Sequence, residues 1–148
     1  MTDKIQTLRI GNEIVYLLIV GDLHSSILPL AEVDRLRMAL PGLSKILVNG
    51  DIFPLGCEPV ETLEWVIDRA GEAVVLGNHD EGVLEHDEPG QPLYSEAGVH
   101  ELLSEPQLEY LSQRPLRLDI TWKDFAIRLT HSHRLPDGTL RPSTSFKT

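Results

Sequence analysis

The chain has 148 residues, 41% of them apolar, and a formal net charge of −10, which is the size of one ordinary domain and enough apolar material for a core. Its acidity, unbroken by any run of Lys and Arg, argues against electrostatic capture of DNA, RNA or an anionic membrane, but not against phosphate chemistry at a bound cation. The single Cys57 cannot close an intrachain disulfide, and the apolar run Val15–Val20 is too short for a signal-peptide core or a membrane span, so a soluble, cytoplasmic protein without a lipid anchor is expected.

Met1–Arg9 is mixed and polar. Val15–Val20 is continuously apolar and reads as a strand buried on both faces. Ile27, Leu30, Val33, Leu36 and Leu40 recur at helical spacing, and Pro41-Gly42 stops that helix. The pattern then repeats. A strand over Lys45–Val48 leads to Asn49-Gly50-Asp51, a helix covers Val60–Ala70 with Gly71 past its end, and a strand over Ala73–Leu76 leads to Gly77-Asn78-His79-Asp80. Strands alternating with helices, each strand closed by Gly and polar residues, predict βαβ units on a parallel sheet.

Glu81–Gly98 is acidic, carries two prolines and reads as a surface loop. Ser104-Glu105-Pro106-Gln107 predicts a helix start with a capping box, which turns Leu108 and Leu111 inward. Leu116–Asp119 and Phe125–Leu129 predict a hairpin turned near Trp122-Lys123-Asp124 and ended by Thr130-His131-Ser132-His133. The chain from Pro136 is polar and aperiodic, so an ordered domain over residues 1–135 and a tail over 136–148 are expected. The residues do not specify an oligomeric state.

Three strand ends thus carry acidic, amide or imidazole groups: Asp22 and His24, then Asp51, then Asn78, His79 and Asp80. A parallel sheet gathers the carboxyl ends of its strands along one edge, so these groups converge despite their distance in sequence. Asp and Asn oxygens with neutral His nitrogens suit Mn, Fe, Zn or Co. Two such ions side by side can clamp a phosphoryl group and acidify a water.

The blocks Gly21-Asp22-Leu23-His24, Gly50-Asp51 with Gly56, Gly77-Asn78-His79-Asp80 and the strand-ending His131 resemble, in order, the motifs of calcineurin-like metallophosphoesterases. The resemblance covers residues 15 to 135. It implies a layered αββα sandwich and two divalent ions, manganese favoured, acting on a small phosphorylated substrate. By resemblance Asp22 and His24 hold the first ion, Asp51 bridges both, and Asn78 and His131 hold the second. His79 would bind no metal but would steady the phosphate and protonate the leaving oxygen, with Asp80 behind it as an orienting group.

The chain departs from the family pattern in two places. The family's final Gly-His-x-His block has no counterpart, which raises an alternative reading as a catalytically inactive fragment that binds metal or a partner. Pro54 and Leu55 stand where phosphoprotein phosphatases carry Asp-Arg, which weakens a protein-phosphatase reading. Thr130-His131-Ser132-His133 also resembles a degenerate final block. In that case His131 and His133 are both ligands, and His86 or His100 takes the earlier place. Otherwise His86, His100 and His133 read as exposed or structural, Cys57 as a small buried residue and Trp65 as core. A small-molecule binding module of flavodoxin-like shape is disfavoured, because no phosphate-cradling Gly loop is present.

Overall fold

The computed structural model describes residues 5–131; His133 and the tail expected from Pro136 lie outside them. The elements in chain order are β1 (Ile5–Ile10), β2 (Tyr16–Val20), α1 (Leu28–Ala39), β3 (Ser44–Asn49), α2 (Pro59–Ala70), β4 (Val74–Val75), α3 (Asn78–Glu85), α4 (Glu96–Leu102), α5 (Glu105–Ser112), β5 (Arg117–Trp122) and β6 (Phe125–Thr130). Two three-stranded sheets result. One has the order β2-β3-β4 and is wholly parallel, as the alternation of strands and helices predicts. The other has the order β1-β5-β6, with β1 parallel to β5 and β5 antiparallel to β6.

The continuous apolar character of β3 has a direct structural reason. Ile46 and Val48 pack with Leu30 of α1 and with Leu63 and Val66 of α2. Leu47, between them, packs with Ile10, Leu118, Ile120 and Leu129 of the second sheet. Successive side chains of a strand point to opposite faces, so β3 needs apolar residues at every position. Val74 and Val75 divide in the same way. Each such side chain contributes on the order of 1.5–3 kcal/mol on leaving water. The described residues therefore build helix, sheet and sheet layers of the expected sandwich.

The helix starting at Ser104 forms with its capping box, in which Oε1 of Gln107 accepts from the Ser104 amide at 2.9 Å, and Leu111 is buried. The hairpin closes on Trp122 paired with Phe125, with Lys123 in the left-handed region at φ 53°. Trp65 lies in the core, its Nε1 donating to Asp34 of α1 at 3.0 Å.

Three expectations need correction. Residues 5–10 are a strand, not merely a polar lead. Their partner β5 is more than a hundred residues away, and of their apolar side chains Ile10 alone is fully buried, so no local period betrays them. The stretch from Glu81 is not all loop: α3 runs to Glu85 and α4 begins at Glu96. The face that α3 buries consists of Asp80, Gly82 and Val83, which does not read as an apolar stripe. Cys57 is exposed rather than buried.

Candidate metal centre

The chain leaving β2 and the chain leaving β3 run side by side. The amide of Asp22 donates to the Gly50 carbonyl at 3.0 Å, that of His24 to Asp51 at 3.1 Å and that of Ser25 to Ile52 at 2.8 Å. Lacing the two loops together forces Asp22, His24, Ser25 and Asp51 to φ values of 53°, 47°, 55° and 52°. Side chains other than glycine adopt such angles rarely, at roughly 1–3 kcal/mol each, and they cluster where a site has to be held in shape. Here they bring the ligand atoms of exposed Asp22, half-buried His24 and buried Asp51 within 4.8 Å of one another.

His131, the residue after β6, reaches the same carboxylate from the second sheet, with Nε2 3.2 Å from Oδ2 of Asp51. Its Nδ1 donates to the Asn49 carbonyl at 2.7 Å. A carbonyl can only accept, so in the neutral ring Nε2 carries a lone pair that faces the carboxylate. Two acceptors opposed at that distance call for a cation or a proton between them. Nδ1 of His24 is buried with no hydrogen-bond partner. Strained carboxylates, an imidazole fixed through its other nitrogen and an orphaned ring nitrogen fit a divalent ion.

The third block approaches from α3. The His79 amide donates to Oδ1 of Asp51 at 3.2 Å, and the His79 ring stands edge-on to that of His24 with centroids 5.8 Å apart. A Cβ on Gly77 would collide with the Asp51 carboxylate, which explains a glycine at that position. Asn78 opens α3 at this edge and is exposed.

Asp80 does something other than orient His79. Fully buried, its Oδ1 accepts from the amides of Ile52 at 2.8 Å and Phe53 at 3.2 Å, and its Oδ2 accepts from Gly77 at 2.8 Å. It thereby ties the second block to the third. Burial pushes its carboxyl up to about 7, against the pull of the three amides and with a further push from Asp51. The group that holds His79 is Glu96, with Oε1 2.8 Å from Nδ1. Sequence reasoning missed Glu96, because it sits in a stretch read as acidic loop and its partner is chosen by the packing of α3 on α4.

Among the described residues, the other histidines lie elsewhere. Nδ1 of His100 donates to the Val83 carbonyl at 2.7 Å, and His86 is 3.9 Å from Glu96. Neither stands with Asp22, His24, Asp51 and His131, so the arrangement gives no support to the degenerate final block.

The model of the family described as calcineurin-like phosphoesterase matches residues 15–140. The chain belongs to that family. Among curated relatives, the symmetrical bis(5'-nucleosyl)-tetraphosphatase of Chromobacterium violaceum is 25% identical over 126 residues, which is 82% of this chain and 44% of that protein. The chain thus spans less than half the length of that relative. A solved metallophosphoesterase from Sphaerobacter thermophilus is 27% identical with a TM-score of 0.57, over 68% of this chain and 41% of the other. A second structure, provisionally described as a diadenosine tetraphosphatase, shares the fold with a TM-score of 0.67 at 24% identity, over 93% of this chain and 57% of the other. Among the described residues, no helix is long and apolar enough to cross a membrane.

Proposed function

We propose that the chain carries the metal-binding and proton-donating half of a hydrolase that cleaves phosphoesters or phosphoric anhydrides, with dinucleoside polyphosphates as the leading substrate class. The observation that supports it most is the convergence of Asp22, His24 and His131 on the buried carboxylate of Asp51. These four residues, joined by Asn78, would hold two divalent ions, manganese favoured. Such ions supply charge neutralisation for the phosphoryl group and a more acidic water.

The chain's own residues account for the rest. Asp51, buried and held at φ 52°, turns Oδ1 to the His79 amide and Oδ2 to His131. His131 keeps Nε2 free for a ligand by donating Nδ1–H to Asn49. His79, beside the His24 ring but held from outside the cluster, would give a proton to the leaving oxygen. A chain of net charge −10 repels a polyphosphate in the absence of cations, so binding itself requires the ions. The substrate class rests on the two relatives named for tetraphosphate cleavage, and location in the cytoplasm is consistent with such a soluble substrate.

The test is hydrolysis by the 148-residue chain with added Mn²⁺. The substrates are p-nitrophenyl phosphate, bis-p-nitrophenyl phosphate and diadenosine tetraphosphate, with products resolved by chromatography. Metal-dependent release of two nucleoside diphosphates is the expected result. Metal binding without turnover on any substrate would favour the inactive-fragment reading instead.

A further inference from the structure

We propose that Glu96 is the positioning residue for His79, a role that rests on the reading of His79 as proton donor. Its Oε1 lies 2.8 Å from Nδ1 of His79, its side chain is 28% exposed, and its Oε2 lies 3.9 Å from Nε2 of His86. A carboxylate can only accept, so His79 donates its Nδ1–H. That fixes the ring orientation and leaves Nε2 as the nitrogen turned away from Glu96, in a ring already set edge-on to His24. To act as donor the ring would carry a second proton on Nε2, which passes to the leaving oxygen while Nδ1–H stays on Glu96.

The local sequence is built around this contact. His79 and Gly82, spaced i and i+3, share one face of α3, and His86 follows as the helix's C-cap. α4 packs against that face and brings Glu96, at its first position, across it. Ser95 starts α4 at this point, its hydroxyl accepting from the Gly98 amide at 3.1 Å. A Cβ on Gly82 would occupy the place of the Glu96 carboxylate. Glycine inside a helix costs about 1 kcal/mol relative to alanine, and what it permits here is the approach of that carboxylate to His79. Asp80, the nearer acid in sequence, is committed to three backbone amides.

The test uses Glu96→Ala, Glu96→Gln, Gly82→Ala and His79→Asn, singly and with Glu96→Ala combined with His79→Asn. Long-range ¹H–¹⁵N spectra of the imidazoles, recorded on the metal-free chain, report the tautomer. At a pH where the ring is neutral, wild-type His79 is expected as the Nδ1–H tautomer, and both Glu96→Ala and Gly82→Ala should move it toward the ordinary Nε2–H form. Gly82→Ala displaces only the far end of a flexible side chain, and Glu96→Gln keeps the volume of the original, so the test survives if Glu96→Ala does not fold. In turnover with Mn²⁺, Glu96→Ala should lower kcat about 10–100-fold for phenyl phosphate, the usual effect of losing an orienting partner. It should lower kcat far less for p-nitrophenyl phosphate, leave KM and metal content unchanged, and add no loss to His79→Asn. An unchanged His79 tautomer in Glu96→Ala and Gly82→Ala would overturn the proposal, as would an additive loss in the double variant. If wild type turns over no substrate, the hydrolase reading fails by itself, and the imidazole spectra still decide whether Glu96 holds His79.

Discussion

Nε2 of His131 lies 3.2 Å from Oδ2 of Asp51, although one residue follows a strand of the mixed sheet and the other a strand of the parallel sheet. The contact spans the seam between the sheets, and Asp51 is the group that Asp22, His24 and His131 all approach. Asp51→Asn should therefore lower Mn²⁺ affinity by more than the roughly 10–100-fold expected for an outlying partner, and abolish turnover. Wild type should gain about 2.7 kcal/mol of stability at a free-metal concentration about 100 times Kd. The variant should gain almost none at that same concentration. Calorimetric titration and urea melts with and without metal check both statements.

His79 sits beside the cluster without being drawn into it by its ring nitrogens. His79→Asn should keep the wild-type metal content and lose about 10²–10⁴ in rate. The loss should shrink when p-nitrophenol replaces phenol as the leaving group, because p-nitrophenol departs with little need of a proton. Metal analysis beside kinetics on the two aryl phosphates is the measurement. Loss of metal in this variant would place His79 among the ligands.

Asp80 predicts a stability effect, not a catalytic one. Asp80→Ala strands three buried amides, those of Ile52, Phe53 and Gly77. At about 1–3 kcal/mol for each unsatisfied group, the loss is a large part of the 5–15 kcal/mol typical of a domain. Urea unfolding of the metal-free chain should show a fall of at least about 3 kcal/mol. Asp80→Asn, which retains one acceptor oxygen, should fall in between.

Asp34 of α1 ties that helix to α2. It receives Nε of Arg69 at 2.9 Å and Nε1 of Trp65 at 3.0 Å, and the Arg69 bond, aided by Trp65, holds its carboxyl below the ordinary 3.8 despite partial burial. The folded chain therefore binds fewer protons here than the unfolded chain. The resulting stability is complete above the ordinary value and is lost as pH falls through the lowered folded value. Wild type should exceed Asp34→Asn by roughly 1 kcal/mol at neutral pH, and the gap should close as pH drops below that range. Melts across pH 2–7 test the sign.

Much of this was legible in the sequence because the same residues do two jobs. Apolar runs such as Ile46-Leu47-Val48 announce a strand buried on both faces, and the Gly-plus-polar pairs that end them announce where the backbone turns sharply at a site. Hence Asp22, His24, Asp51 and His131 were identifiable, and the structure brings them together. What was illegible depended on distant partners. β1 is a strand because β5 stands beside it, and only Leu8 and Ile10 carry any hint of alternation. α3 buries an aspartate, a glycine and a valine, so its inward face lacks an apolar stripe. Glu96 matters because α4 lies across α3, and no spacing rule links it to His79.

The pairing of β1 with β5 joins residues 5–10 to residues 117–122, and His131 comes later still. A ribosome must release β5 and β6 before His131 can meet Asp51, while Asp22, His24 and Asp51 are already side by side on the parallel sheet. The nascent chain thus passes through a stage with an open carboxylate pair and no closing imidazole. Long-range closure of this kind is slow, so the contact between His131 and Asp51 should form after the parallel sheet and mark that both sheets have docked.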